Sequence, residues 1–349
     1  MVGLYLTSLE PAAGKSAMCT GIGKRLLKDG KKVGFLKPVL VSAEPQSGEV
    51  VDQDAAFIKQ VLALEEPVAS LCVAALTPQT LEEALASREN GLGQKLRAAY
   101  EEVCRDRDVV VLEGISGQAQ ASAQIAKLLG AKAIIVTLYA GDSTTGEIAA
   151  AAQTLGDSLL GVIINAVPQN KMESVRTSMV PRLEESEVRV LGVLPQDRAL
   201  FTLSVGEIAQ RLQGKLLNSA EGSGELVENL MMGTMYVGSG IDYFDHKANK
   251  AVIIRGERPD MQLAALETST KCLILSGNTP PTPSILNRAQ EKGVPIVVAE
   301  PDTLSTAAII EDALGKARFR QEKKVERLEE ILAQHFDFQA LYKELGLAG

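Results

Sequence analysis

The chain has 349 residues, 46% of them hydrophobic and only 4% aromatic, with no tryptophan and a formal net charge of −8. That length supplies more than one packed core, and the acidic balance argues against nucleic acid or an anionic membrane surface as a main partner. Four scattered cysteines, no Cys-x-x-Cys pair and only two histidines exclude a recognisable Cys/His zinc site and fit reduced, buried thiols. With neither a signal peptide nor an apolar run of membrane-spanning length, a soluble cytoplasmic protein is expected.

Taken in chain order, short Val/Ile-rich runs alternate with helical patterns. The strand candidates are VGLYLT, KKVGFLK, DVVVLEG, AKAIIVTL, LLGVIINAV and VRVLGVLP. Between them, helices are predicted over Lys15–Asp29, Thr80–Arg105, Ala119–Leu129, Thr144–Leu155 and Lys171–Leu183. Strands apolar on both faces and separated by helices predict an α/β fold, a mainly parallel sheet covered on both sides. This first domain is predicted to run over 1–212, and the polar, Gly/Ser-containing stretch 213–225 reads as a linker. A second, smaller α/β domain follows over 226–318, with strands KAVIIRG, KCLILSG and VPIVVAE. Helices are predicted there over Asp260–Thr268, Pro283–Lys292 and Thr303–Lys316. Residues 319–349 carry apolar positions at helical spacing among dense charges and predict an amphipathic helical tail, packed on its own domain or offered to a partner.

The first helix opens with Gly14-Lys15-Ser16, which matches the end of a phosphate-binding loop, although Leu9 stands where the usual first glycine would be; a decayed loop or a chance Gly-Lys-Ser is the alternative. A loop between a buried strand and a helix start presents backbone N–H groups and the positive helix end to an anion. Ala13, Gly14, Lys15, Ser16 and Ala17 are therefore candidate nucleotide-binding residues. Lys15 would meet the β- and γ-phosphates, and the Ser16 hydroxyl would join Mg²⁺. Lys37, in Lys-Pro-Val, stands at a strand's carboxyl end, where ligands bind in open α/β sheets. Asp54 precedes a helix, and Glu113 tips a very apolar strand. Each either caps local structure or shares Mg²⁺ with Ser16 and phosphate oxygens, since Mg²⁺ needs few protein carboxylates. Asn165 ends the strand GVIIN, where its amide reads a base edge or caps the strand. In the second domain Arg255, Glu257, Arg258 and Asp260, with Ser276, Gly277 and Asn278, lie at strand ends on one edge. The arginines either pair with a phosphate or carboxylate ligand or form surface ion pairs.

In this order the stretches resemble known families. The loop ending in Gly14-Lys15-Ser16, Lys37-Pro38-Val39, Asp54, Glu113-Gly114, Asn165 and the GVLPQDR segment from Gly192 resemble dethiobiotin synthetase, an ATP-dependent P-loop ligase. The part from MMGTMYVGSGIDYF through AVIIRGERPDMQLAAL and CLILSGNTPPTPSIL to GVPIVVAEPDTLSTAAIIE resembles the DRTGG domain. Together they resemble the N-terminal regulatory region of long bacterial phosphotransacetylases, whose acetyl-transferring domain follows this point; that activity is not expected of this chain. The resemblance implies ATP (or GTP) and Mg²⁺ as ligands, Lys15 and Lys37 as the residues acting on phosphate, and dimerisation. A partner enzyme of acetate metabolism fits the same implication.

The chain also departs from the ligase pattern. Pro11, Ala12 and Ala13 replace the Thr-Glu-Val triplet before the loop's Gly-Lys, Val41 replaces a carbamate-binding serine, and Ile115, Ser116 and Gly117 replace a glycine-rich stretch. Removing polar partners from such a site costs selectivity by roughly 10⁴. The phosphate half is kept and the diamino-acid half is depleted, so a regulatory nucleotide-binding role is expected over biotin synthesis. A small-acid ligase or kinase and a nucleotide-free scaffold remain the alternatives.

Overall fold

The computed structural model describes residues 1–42, 52–86, 91–141, 143–218, 220–234, 240–315 and 319–347. The chain divides into two compact units, Met1–Gln196 with Phe319–Gly349, and Asp197–Arg318.

The first unit is built on β1 (Val2–Ser8), β2 (Val33–Val41), β3 (Cys72–Leu76), β4 (Val109–Ser116), β5 (Lys132–Leu138), β6 (Leu159–Val167) and β7 (Val190–Pro195). They form one seven-stranded sheet in the order β3-β2-β4-β1-β5-β6-β7, every pairing parallel. The centre of β4 shows why such strands read as uninterrupted apolar runs. Val109, Val110, Val111 and Leu112 are wholly buried, because helices cover both faces of a parallel sheet. The order places β1 and β4 side by side at the centre, with Leu6 level with Glu113. Helix α1 (Lys15–Lys28) follows β1, and α2 (Gln53–Leu62) follows β2. The predicted helix Thr80–Arg105 is two helices, Pro78–Ala86 and Leu92–Val103, with residues 87–90 outside the described residues.

The second unit contains β8 (Leu203–Ser204), β9 (Lys215–Leu216), β10 (Leu226–Val227), β11 (Asn229–Met232), β12 (Lys250–Arg255), β13 (Thr270–Ser276) and β14 (Ile296–Ala299). Its five-stranded sheet runs β11-β12-β13-β14-β9, parallel except for the antiparallel edge β9. Part of the stretch 231–244 that carries the DRTGG resemblance, residues 235–239, lies outside the described residues.

Three boundaries differ from the sequence expectation. Residues 203–212 join the second unit, because Leu203, Val205, Ile208 and Leu212 share a core with Ala251, Ile253, Ile274 and Val297. The stretch read as a linker supplies β9, and the buried Asn218 amide bonds the Val294 carbonyl and the Ile296 N–H at 3.0 and 2.7 Å. A polar composition thus marked an edge strand and its anchor. The tail packs on the first unit, where the helix Glu322–His335 lies on α1. Gly21 makes that approach possible, since a Cβ there would sit 2.5 Å from Leu332 Cδ1. Phe336 then bridges Gly192 of β7, and Asp337 N–H donates to Leu191 O at 2.8 Å.

Candidate functional site

The loop between β1 and α1 is held from three sides. Gly14 sits at the helix N-cap with φ 99°, in the left-handed region that favours glycine. A side chain there would also strike Asn165, whose Nδ2 lies 2.7 Å from the added Cβ position. Asn165 reaches under the loop and donates to Ala13 O at 2.9 Å, while its own Oδ1 accepts from Ala166 N–H at 2.9 Å. One N–H of its amide thus positions the loop. On the third side, the Glu10 carboxylate accepts from Leu138 N–H and from Thr137 Oγ1, the latter at 3.2 Å, tying the loop to the end of β5. Leu9 in place of glycine is compatible with this path: it is half-buried and packs against the core of the unit.

Lys15 folds back across the loop. Its ammonium donates to Ser8 Oγ at 3.0 Å and also contacts Ser116 Oγ. Burial lowers its pKa, and the nearby Glu113 carboxylate offsets part of that shift. The parallel register that pairs Ser8 with Ser116 brings the two hydroxyls together. Ala17 is buried in the first turn of α1. Ser16 turns the other way and donates to Glu113 Oε1 at 3.0 Å.

Glu113 is the centre of a buried ionic cluster. Lys37 Nζ lies 3.3 Å from Glu113 Oε1 and 2.9 Å from Asp52 Oδ2. Burial works against the charged Lys37, yet the Glu113 and Asp52 carboxylates hold its pKa above the ordinary lysine value. Burial also raises the Glu113 pKa; Lys37 opposes that shift, and Asp54 adds to it. Glu113 Oε2 is buried without a hydrogen-bond partner. An orphaned carboxylate oxygen beside a serine hydroxyl, at the end of a phosphate-type loop, matches what a hard divalent cation takes from a protein. Ser16 and Glu113 fit Mg²⁺ on that ground. Among the described residues no cluster of three or more His, Cys, Asp or Glu ligands occurs, so phosphate or water oxygens would complete the shell. Gly114 lets β4 pass Tyr5, since a Cβ there would lie 2.5 Å from Tyr5 Cζ.

Sequence reasoning missed Asp52. Asp54 lies in the first turn of α2, while Asp52 is the N-cap: its Oδ1 accepts from Ala55 N–H at 2.7 Å and its Oδ2 takes the Lys37 charge. The signal was present, because an aspartate two residues before another at a helix start is the usual N-cap pattern. Asp54 instead pairs with Arg320 of the tail at 2.7 Å.

The second unit's candidates also gather at one sheet edge. Arg255 and Ser276 are paired across β12 and β13. Arg258 and Asp260 pair with each other, Nε to Oδ1 at 3.0 Å and a terminal nitrogen to Oδ2 at 2.8 Å. Arg255 is largely exposed and only 3.6 Å from Glu257. Ser276 Oγ hydrogen-bonds Thr303 at 2.8 Å, and Gly277 and Asn278 form a left-handed turn with φ 83° and 54°. The ion-pair alternative is the arrangement observed for Arg258.

A parallel sheet whose first strand feeds a glycine-lysine-serine loop into a helix defines a P-loop domain. Residues 2–202 match the family described as AAA domain, and residues 207–313 match the DRTGG domain. The first match covers more than half of the chain, which therefore belongs to that AAA-domain family. The phosphate acetyltransferase of Pseudomonas aeruginosa is 24% identical over 372 residues, covering 95% of this chain and 50% of that protein. The ATP-dependent dethiobiotin synthetase of Caldicellulosiruptor saccharolyticus is 24% identical over 122 residues, 34% of this chain and 50% of the relative. Among solved structures, the MinD cell division protein of Aquifex aeolicus aligns at 18% identity over 57% of this chain and 84% of its own, with a TM-score of 0.36. The chain spans about half the length of the curated phosphate acetyltransferases it matches. Among the described residues no helix is long and apolar enough to cross a membrane.

Proposed function

We propose that the first unit binds ATP or GTP with Mg²⁺, and that its role is regulatory, tied to acetyl-phosphate and acetyl-CoA metabolism. The observation that carries this reading is the unpartnered Glu113 Oε2, buried beside Ser16, with Lys15 and Lys37 on either side. In this reading Ala13 through Ala17 line the phosphates, and Lys15 leaves Ser8 and Ser116 for the β- and γ-phosphates. Ser16 and Glu113 hold the cation, and Mg²⁺ supplies charge neutralisation on the phosphate oxygens. Lys37, already neutralised by two carboxylates, orients Glu113. The loss of the diamino-acid-binding positions at Pro11, Ala12, Ala13 and Val41 favours sensing over ligation. The alignment with phosphate acetyltransferases over 95% of the chain supports the metabolic link. A homodimer and a partner enzyme of acetate metabolism belong to the same proposal, with the second unit's edge at Arg255, Glu257 and Ser276 as a further ligand or partner surface.

Calorimetric titration with ATP and with GTP, in Mg²⁺ and in EDTA, tests it. Binding should require Mg²⁺ for full affinity and should fall about 100-fold in Lys15→Ala, the scale of losing charge-assisted bonds to phosphate. Equal affinity in that variant would sink the site. Phosphate release dependent on an added small carboxylic acid would move the assignment to a ligase.

A further inference from the structure

Asp54 stands in the first turn of α2, two residues after Asp52, the N-cap that holds Lys37 in the buried cluster. It is held by Arg320, whose Nε donates to Asp54 Oδ1 at 2.7 Å while a second guanidinium nitrogen reaches Gln53 Oε1. Two further contacts hold the same short segment on α2. The Phe319 ring meets Phe57 edge-on at 6.0 Å between centroids, and Gln60 Nε2 donates to Glu322 Oε1 at 2.8 Å. Asp54, Phe57 and Gln60 recur at helical spacing along one face of α2, so residues 319–322 form a clasp along that face. The rest of the tail is anchored elsewhere, by Leu328 and Leu332 against Gly21 of α1.

We propose that Arg320 is a latch on the nucleotide site, competing with the cation for Asp54. This inference rests on the nucleotide reading above and adds its regulation. A guanidinium held on Asp54 Oδ1 repels a divalent cation approaching the same carboxylate and weakens that carboxylate's pull on it. With Arg320 engaged, Asp54 is neutralised and the cation relies on Ser16, Glu113 and phosphate oxygens alone. When the cation draws Asp54, Arg320 loses its partner and the 319–322 clasp loosens, while the Leu328 and Leu332 anchor keeps the helix in place. Coupling of this kind is reciprocal. Whatever lifts the clasp from α2 tightens cation and nucleotide binding, and occupancy of the site frees the clasp.

The test is a titration of the full chain with ATP and with GTP, each with and without Mg²⁺, on the natural chain, Arg320→Gln, Asp54→Asn and the double variant. Arg320→Gln should bind the Mg²⁺–nucleotide about three- to fivefold more tightly, the strength a partly exposed ion pair can withhold. Affinity for metal-free nucleotide should not change, and in the Asp54→Asn background the Arg320 change should have no effect. Hydrogen exchange gives a readout that does not depend on the arginine variant. Amides of 319–323 should exchange faster when Mg²⁺–nucleotide is added to the natural chain, and faster without nucleotide in Asp54→Asn. If the natural chain binds but Arg320→Gln binds no more tightly, or exchange in 319–323 is unmoved, the latch is wrong and the nucleotide reading stands. If no form binds either nucleotide, both fall together.

Discussion

Both units present polar residues at the carboxyl ends of parallel strands, yet they handle charge in opposite ways. In the first, Lys37, Asp52 and Glu113 are buried together, and one carboxylate oxygen has no partner. In the second, the Arg255 side chain is 74% exposed, and Arg258 and Asp260 satisfy each other within one turn. Burying a carboxylate costs free energy unless its lone pairs are met. A fold that buries one and leaves an oxygen over has therefore kept room for a partner of its own choosing. An exposed, self-satisfied pair has no buried charge to serve. An unpartnered oxygen alone does not mark a site, since Glu66 Oε2 and, at the second unit's edge, Gln262 Oε1 are also buried without a partner; what separates the two places is the buried charge of Lys37, Asp52 and Glu113 around the orphaned oxygen.

The sharpest way to break this comparison is Lys37→Met. Removing the cation leaves Glu113 and Asp52 buried with no charge between them, and losing one side of a buried ion pair costs about 3–5 kcal/mol. Because the Lys37 pKa is raised, its stabilisation is fully present at neutral pH and is lost only as pH climbs past the ordinary lysine range. Urea unfolding at pH 7 should show the loss. Acidification toward the raised Glu113 pKa should shrink it, since a protonated Glu113 no longer needs the ammonium. A variant as stable as the natural chain at pH 7 would mean that the cluster is solvated and the contrast between the units is false.

Lys15 gives a smaller effect of the opposite sign. Burial lowers its pKa, with only partial compensation from Glu113, so the folded chain holds this proton less firmly than the unfolded chain does. Between the lowered folded value and the ordinary lysine value, the unfolded state binds more protons, and stability rises with pH across that window. Below it the cost of burying the charge is fully present. Lys15→Met should therefore unfold at a higher temperature than the natural chain at pH 7, with the gap narrowing toward pH 10 in thermal melts. A site kept at the expense of stability behaves this way. Lower stability in Lys15→Met would show that Ser8 and Ser116 compensate the charge in full.

How far these differences were legible in the sequence follows the same physics. The central strands could be read because both faces are buried: VVVLEG is short, β-branched and apolar throughout, and six of the seven strands of the first sheet stand out. The seventh, Cys72–Leu76, is an alanine-rich edge strand with four of its five residues only half-buried, so it carries no apolar run. The edges β9 and β11 of the second sheet escaped for the same reason. Gly14, Lys15, Ser16, Lys37 and Glu113 could be named as candidates because loop chemistry and strand ends are local signals, and the fold brings Lys15, Ser16, Lys37 and Glu113 together. The bond from Asn165 to Ala13 O was not legible, because only the fold brings the end of β6 to the loop. The Asp54–Arg320 pair joins residues far apart in the chain, and no local pattern announces it.

The smallest effect is expected in the second unit, and it completes the comparison. Arg258→Ala breaks a bidentate pair with Asp260 that is about one-third exposed on each side. Solvent-screened pairs of that kind contribute little, and Asp260 remains in the first turn of the helix Pro259–Leu266, where its charge is favourable without the arginine. Chemical unfolding should register a loss far smaller than that of Lys37→Met, with nucleotide affinity unchanged. A loss approaching that of Lys37→Met, or a change in nucleotide affinity, would mean that this edge contacts something the exposed pair does not disclose. The second unit's edge would then have to be counted as a built site alongside the first.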